Sequence, residues 1–227
     1  MTSYKEALHK VLKVSKINKK KEFIKNVNNE TISENIYAKK DNPSFNNSLL
    51  DGFVFKSSDT KKNSHFKLNG ELAVGQTKKI KYVKNTCYRV STGGKIIPPY
   101  DCMLPYEQVE VIDGLIEIPK KIKKFNNVRL RGSDFQKGDL LIKKNQKITP
   151  AKKLLIKSSG NENIQIYETP NVILFCSGDE ISDKIVFNDK VINSIPEYIN
   201  SYKKVYNFNF KYLGVVKDNK NSINKIF

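Results

Sequence analysis

Cysteine and histidine are scarce in this 227-residue chain. The three cysteines, Cys87, Cys102 and Cys176, lie far apart, and the two histidines are His9 and His65. With no CxxC and no HxxxH spacing, a zinc site is not expected. Three small packing residues are the plain reading of the cysteines. An odd, sparse set also fits a reducing compartment, so the cytoplasm is the expected location. Long apolar runs are absent too. A stretch such as VILF (172–175) is strand-sized, whereas a membrane span needs roughly 18 apolar residues, so no membrane partner is expected. The N-terminus, MTSYKEALHKVLK, has neither an apolar h-region nor a small-residue cleavage site, which sets a signal peptide aside. No internal repeat, P-loop, GxSxG or GxGxxG is found.

Positive charge is plentiful. Lys plus Arg total 41 against 23 Asp plus Glu, a formal net charge of +18. That excess fits phosphate, nucleic-acid or anionic-membrane binding in principle. The lysines, however, are scattered among Asn and Ile. The densest runs, Lys19-Lys20-Lys21 and Lys120-Lys121 with Lys123-Lys124, lack the interleaved aromatics of a base-stacking surface. They read as a solvated surface, and nucleic acid is not an expected partner. Hydrophobic residues at 38% and aromatics at 10% are too many for a disordered chain.

Along the chain, Ala7, Leu8, Val11 and Leu12 recur at helical spacing and predict a helix over 3–17. Ser3 and Glu6 have capping-box spacing. Residues 18–40 are polar and mixed, and 41–48 (DNPSFNNS) read as a loop. From about 51 to 128 the runs are strand-sized: Phe53–Phe55, Glu71–Ala73, Lys79–Val83, Tyr88–Val90, Gln108–Ile112 and Leu115–Ile118. Asp113-Gly114 between the last two is a hairpin signal. Thr149-Pro150-Ala151 opens a short helix ending near Ser159-Gly160. NVILFCSGDEI (171–181) is a strand running into a turn, 196–207 a helix, and 210–219 a second strand ending in an acidic turn. Ser222 starts another helix. Strand, helix, strand and helix start open an α/β domain. The stretch 170–227 is too short to complete one, so this domain is expected to be truncated.

Four loop clusters stand out in a fixed order: PSFNNSLLDGFVFKSSD (43–59), YRVSTGGKIIPPYDCMLPYE (88–107), the segment from VRLRGSDFQKGD to CSGDEI (128–181), and YLGVVKDN (212–219). Together they resemble the molybdopterin molybdenumtransferases, the molybdenum insertases that include the gephyrin E domain. The family pattern runs P-x-F-x-N-S-A-M-D-G-Y-A, R-I-x-T-G-A-x-x-P-x-G-A-D-x-V, V-R-x-x-G-x-D-x-x-x-G, T-G-D-E-L and G-x-x-x-D-D. Departures are Leu49-Leu50 for Ala-Met, Ser133 before Asp134, Ser177 for the Thr of TGDEL, and Asn193-Ser194-Ile195 for Asn-Ser-Asn. The family's later GG-x-S-x-G-x-x-D and GLPGNP loops and its small β-barrel have no counterpart here. The resemblance covers roughly the N-terminal half to 60% of a family member.

The resemblance implies an α+β multidomain fold. Residues 1–45 with 129–169 would form a discontinuous elongated domain, 46–128 an inserted β domain, and 170–227 a truncated α/β molybdopterin-binding domain. It implies Mg²⁺-dependent insertion of molybdate into adenylylated molybdopterin with release of AMP, by a homodimer. Asp51, Glu180 and Asp218 would be catalytic, with Glu180 and Asp218 holding Mg²⁺. Thr92, Gly93, Asp134, Ser177, Gly178 and Asp179 would bind substrate, and Asp51 with Thr92 would face the third domain of the dimer mate. Mg²⁺ takes one or two carboxylates plus substrate phosphates, and the C-terminal ends of parallel strands are where open α/β sheets bind ligands. Plainer readings stand beside these. Asp51-Gly52 could be a turn, Thr92-Gly93-Gly94 a hairpin end, Asp134 a turn former, Glu180 the cap of a following helix, and Asp218 an N-cap ahead of Ser222. The alternative function is a non-catalytic pterin-binding or scaffold remnant of the same family.

Overall fold

A computed structural model describes residues 2–73, 75, 80–119, 121–185 and 190–226. In chain order the elements begin with α1 (Tyr4–Val14), β1 (Lys19–Phe23), β2 (Ile36–Tyr37), β3 (Asn47–Ser48), β4 (Gly52–Phe55), α2 (Ser57–Thr60), β5 (His65–Leu72), β6 (Thr86–Val90) and β7 (Cys102–Pro105). Next come β8 (Glu110–Ile112), β9 (Leu115–Glu117), β10 (Val128–Arg129), β11 (Leu140–Ile142), α3 (Pro150–Ser158) and β12 (Asn163–Tyr167). The chain continues with β13 (Asn171–Ser177), β14 (Ile181–Ser182), β15 (Val191–Ile192), α4 (Ile195–Ser201), α5 (Lys203–Tyr206), β16 (Asn209–Val216) and α6 (Lys220–Asn224). Few helices and several sheets make an α+β fold. Two compact units result: 1–35, 142–153 and 162–227 form one, and 36–141 with 154–161 the other.

The second unit is built on a six-stranded sheet in the order β7-β4-β6-β5-β9-β8. All neighbouring pairs are antiparallel except β5 with β6. Side chains alternate faces along a strand, so each face has its own core. Phe53, Phe55, Cys102 and Leu104 join Phe66, Cys87 and Ile116 on one side. Val54 and Met103 join Leu72, Tyr88, Val90 and Tyr100 on the other. Burial in these cores pushes the thiols of Cys87 and Cys102 up to about 12, because an apolar surrounding disfavours the thiolate. The Asp113-Gly114 signal is borne out: both residues have positive φ, 51° and 77°, and join β8 to β9.

Local signals set α1 as well. The Ser3 hydroxyl accepts from the Glu6 amide at 3.3 Å, and the Glu6 carboxylate accepts from the Ser3 amide at 2.8 Å. The helix ends at Val14, earlier than the expected 17, with Ser15 as its C-cap. Its apolar residues Leu8, Val11 and Leu12 are exposed. Other expectations shift. Ile80–Val83 forms no strand, and Lys79 lies outside the described residues. The helix expected over 196–207 divides into α4 and α5 around Tyr202 and stops at Asn207, whose φ of 55° is left-handed.

In the first unit β1 pairs antiparallel with β12. Strands β13 and β16 pair in parallel, from Asn171 opposite Asn209 to Ser177 opposite Val216. Beyond residue 170, Gly178 and Pro196 are the buried residues among those described. The parallel pair therefore carries little apolar core, and Ile173 and Leu213 stand exposed. Among the described residues no helix is long and apolar enough to cross a membrane.

Candidate functional site

Asp51, Thr92, Gly93 and Asp134 fall in the sheet-containing unit, where backbone pairing links them. The Asp51 carboxylate accepts from the Thr92 amide at 2.6 Å and from its hydroxyl at 3.0 Å. The Gly93 amide donates to the Ser48 carbonyl at 2.9 Å, and the Ser48 amide to the Gly94 carbonyl at 3.0 Å. Ser48 and Asn47 of β3 pair with Val128 and Arg129 of β10. Arg129 in turn donates to the Asp134 carboxylate at 2.6 Å, which also accepts from Asn42 at 3.0 Å. One loop cluster thus runs from Asp51 through β3 and β10 to Asp134. A second ion pair, Arg131 with Asp41 at 2.5 Å, lies on the same segment. The arginines were not singled out from sequence. The pattern V-R-L-R-G-S-D contains them, and the bend that follows β10 is what brings Asp134, five residues on, to Arg129.

Two donors from Thr92 stabilise the ionised form of Asp51. The backbone bond comes first, the hydroxyl second, and the carboxyl titrates below its ordinary value. With a depressed folded pKa, the stabilising contribution is fully present above the unfolded-chain pKa. It fades as pH falls through the lower folded value. A carbon-detected titration of Asp51 should therefore show a midpoint below that of free Asp. Thr92→Ala should move it part of the way back, since the amide donor remains. A wild-type midpoint at or above the free value refutes the arrangement.

Ser177, Gly178, Asp179, Glu180 and Asp218 fall in the other unit. Ser177 closes β13, and Val216, its partner, closes β16. The turn Gly178–Glu180 and the segment Lys217–Asp218 therefore leave the C-terminal ends of two adjacent parallel strands, the edge where open α/β sheets take ligands. Gly178 has φ +151°, and a Cβ there would lie 2.8 and 2.9 Å from the two Glu180 carboxylate oxygens. The carboxylate thus folds back over a bare backbone, and glycine leaves the room. The turn is tied by the Gly178 amide to the Val216 carbonyl at 3.3 Å and by the Val191 amide to the Glu180 carbonyl at 2.8 Å. No helix follows Glu180: the chain enters β14, which pairs in parallel with β15, so the helix-cap reading of Glu180 fails. The N-cap reading of Asp218 fails as well, because Asn219 caps α6 by accepting from the Ser222 amide at 2.8 Å.

Glu180 and Asp218 offer hard oxygen donors, the type Mg²⁺ prefers. Among the described residues no group of three or more His, Cys, Asp or Glu side chains could hold a metal ion.

A profile of the MoeA N-terminal region (domain I and II) matches residues 2–160. The molybdopterin molybdenumtransferase of Staphylococcus aureus (strain Mu50 / ATCC 700699) is 27% identical over 173 residues, covering 73% of this chain and 41% of its own length. That of Haemophilus influenzae is 28% identical over 154 residues, 67% of this chain and 38% of its own length. Among solved structures, a molybdopterin biosynthesis MoeA protein from Pyrococcus horikoshii aligns over 96% of this chain and 58% of its own, with TM-score 0.85 and 23% identity. A second, from strain OT3, aligns over 99% and 62%, with TM-score 0.82 and 19% identity. At such identities the likeness shows a shared fold. The chain spans about two fifths of the curated relatives it matches, 41% and 38% of their lengths.

Proposed function

Since the chain belongs to the MoeA N-terminal region family, we propose that it acts in molybdenum cofactor biosynthesis, in the Mg²⁺-dependent insertion of molybdate into adenylylated molybdopterin with release of AMP. The observation that carries this reading is the pair of adjacent parallel strand ends presenting Gly178–Glu180 and Asp218. Exposed carboxylates leaving neighbouring strand ends beside a glycine turn suit a metal-bound, phosphate-rich ligand.

In this reading Glu180 and Asp218 hold Mg²⁺, which when bound neutralises charge on the phosphoanhydride. Ser177, Gly178 and Asp179 line the ligand's approach, with Gly178 letting it reach the backbone. Asp51 is kept ionised by Thr92 and is available to orient a water or hydroxyl. Asp134 secures Arg129. The homodimer implied by the resemblance would bring the Asp51 cluster of one copy to the turn of the other.

Calorimetric titration of adenylylated molybdopterin, with Mg²⁺ and again with excess chelator, tests the reading, with AMP release followed after molybdate is added. Binding that needs Mg²⁺, followed by AMP release, is the expected result. Mg²⁺-dependent binding without AMP release favours the non-catalytic pterin-binding alternative. Absence of binding overturns both.

A further inference from the structure

Asn193 bonds to both flanks of the Ser177–Glu180 turn, Cys176 before it and Ser182 and Asp183 after it. Its amide donates to the Ser182 carbonyl at 2.8 Å. Its side-chain Nδ2 donates to the Asp183 carboxylate at 2.9 Å and to the Tyr212 hydroxyl at 2.7 Å. Tyr212 donates to the same carboxylate oxygen at 2.8 Å, and the Cys176 thiol donates to Asn193 Oδ1 at 3.6 Å. The inventory closes: both amide hydrogens, the phenol hydrogen and the thiol hydrogen each have an acceptor. The ring joins β13 through Cys176, the segment after β14 through Asp183, and β16 through Tyr212. Asn193, Tyr212 and Cys176 are half-buried. Burial and Asp183 together raise the Tyr212 phenol, so it stays a donor through neutral pH.

In the six-stranded sheet packed apolar side chains hold the strands together. Here Gly178 and Pro196 are the buried residues beyond 170 among those described, so polar contacts carry more of the task. Bonds to a carboxylate are stronger than neutral ones.

We infer that Asn193, Asp183 and Tyr212 form a latch that positions the Ser177–Glu180 turn for Mg²⁺ and ligand. These are positioning residues acting through Glu180, and the inference rests on the function proposed above for that turn.

The test uses the full chain and four variants: Asn193→Ala, Tyr212→Phe, Asp183→Ala and Asp183→Asn. The first readout is hydrogen exchange at short times over residues 178–183. The second is the Mg²⁺ dependence of adenylylated molybdopterin binding, with melting temperature as a folding control. Asn193→Ala, Tyr212→Phe and Asp183→Ala should speed exchange in the turn, weaken Mg²⁺-dependent binding about tenfold, and leave the melting temperature nearly unchanged. Asp183→Asn keeps a side-chain oxygen able to accept both bonds, so it should stay within about threefold of the parent. Unchanged exchange overturns the latch. Faster exchange with unchanged binding shows a contact that positions nothing, and also overturns it. An Asp183→Asn loss as deep as that of Asp183→Ala assigns Asp183 a charge role and overturns it too. If the parent chain binds no ligand, or Glu180→Ala binds as well as the parent, the proposed function fails instead, and the exchange data alone decide whether the latch holds the turn.

Discussion

Gly52→Ala is expected to destabilise the protein by roughly 3 kcal/mol or more. A Cβ at position 52 would lie 2.0 Å from the Leu104 carbonyl oxygen, 2.7 Å from the Pro105 Cα and 2.9 Å from the Leu104 carbonyl carbon. These are backbone atoms of β7, with no rotamer to turn away. Gly52 is also paired on its other side with Val90 of β6, so β4 cannot shift aside. Accommodating one methyl means prising β4 from β7 along the register from Gly52–Pro105 to Phe55–Cys102. Both cores then loosen, because Phe53, Phe55 and Val54 sit on that strand. At roughly 3–5 °C per kcal/mol for a unit somewhat above 100 residues, thermal unfolding should begin about 10 °C earlier. Gly114→Ala is the control: nothing lies within 4 Å of a Cβ there, but φ is +77°. It should cost only about 1 kcal/mol, the conformational share alone. Equal melting temperatures for Gly52→Ala and the parent would refute the close approach.

The second large effect is on binding. Glu180→Ala and Asp218→Ala should each lower Mg²⁺-dependent affinity for adenylylated molybdopterin on the order of 100-fold, the size of losing one interaction with a charged group. Stability should barely change, since both side chains are exposed and exposed positions usually move stability by about 0.5 kcal/mol or less. The two expectations are opposite in kind. Gly52 matters to the fold, whereas Glu180 and Asp218 matter to what the fold holds. Parent-like affinity in both carboxylate variants removes them from the metal site.

Features encoded within a few residues were the ones legible in the sequence. The Ser3–Glu6 box, the Asp113-Gly114 hairpin and the β13 strand are each written in a short window. Features requiring a distant partner were not. Strand β1 is a lysine run whose partner, β12, lies far along the chain, and nothing in Lys19–Phe23 alternates toward a core. Strand β5 is legible only at its end, in the run Glu71–Ala73, while its body His65–Gly70 has just two apolar residues, Phe66 and Leu68, in a mostly polar stretch. In the structure Gly70 sits at an irregularity between Leu68 and Glu71, where the register with β6 shifts. Among the site residues, the turn Gly178–Glu180 and Asp218 could be placed at strand ends from the pattern alone. The Asp51–Thr92 bonds and the Asn193 latch could not, since each joins residues far apart in the chain; the Arg129–Asp134 pair spans only five residues, but the bend that closes it is not written in a periodic pattern. Gly52 shows the other limit. It reads as half of a turn, and its reason is a neighbouring backbone.

The burial of Cys87 and Cys102 gives the protein a built-in clock. Burial pushes both thiols up to about 12, so the thiolate through which alkylation proceeds is scarce at neutral pH. Cys176 is half-buried on β13. A thiol reagent thus meets two buried thiols and one half-buried thiol in the native chain, and three open ones in the unfolded chain. The labelling rate of Cys87 and Cys102 times the opening of the six-stranded sheet, while an early adduct on Cys176 marks the strand that leads into Glu180.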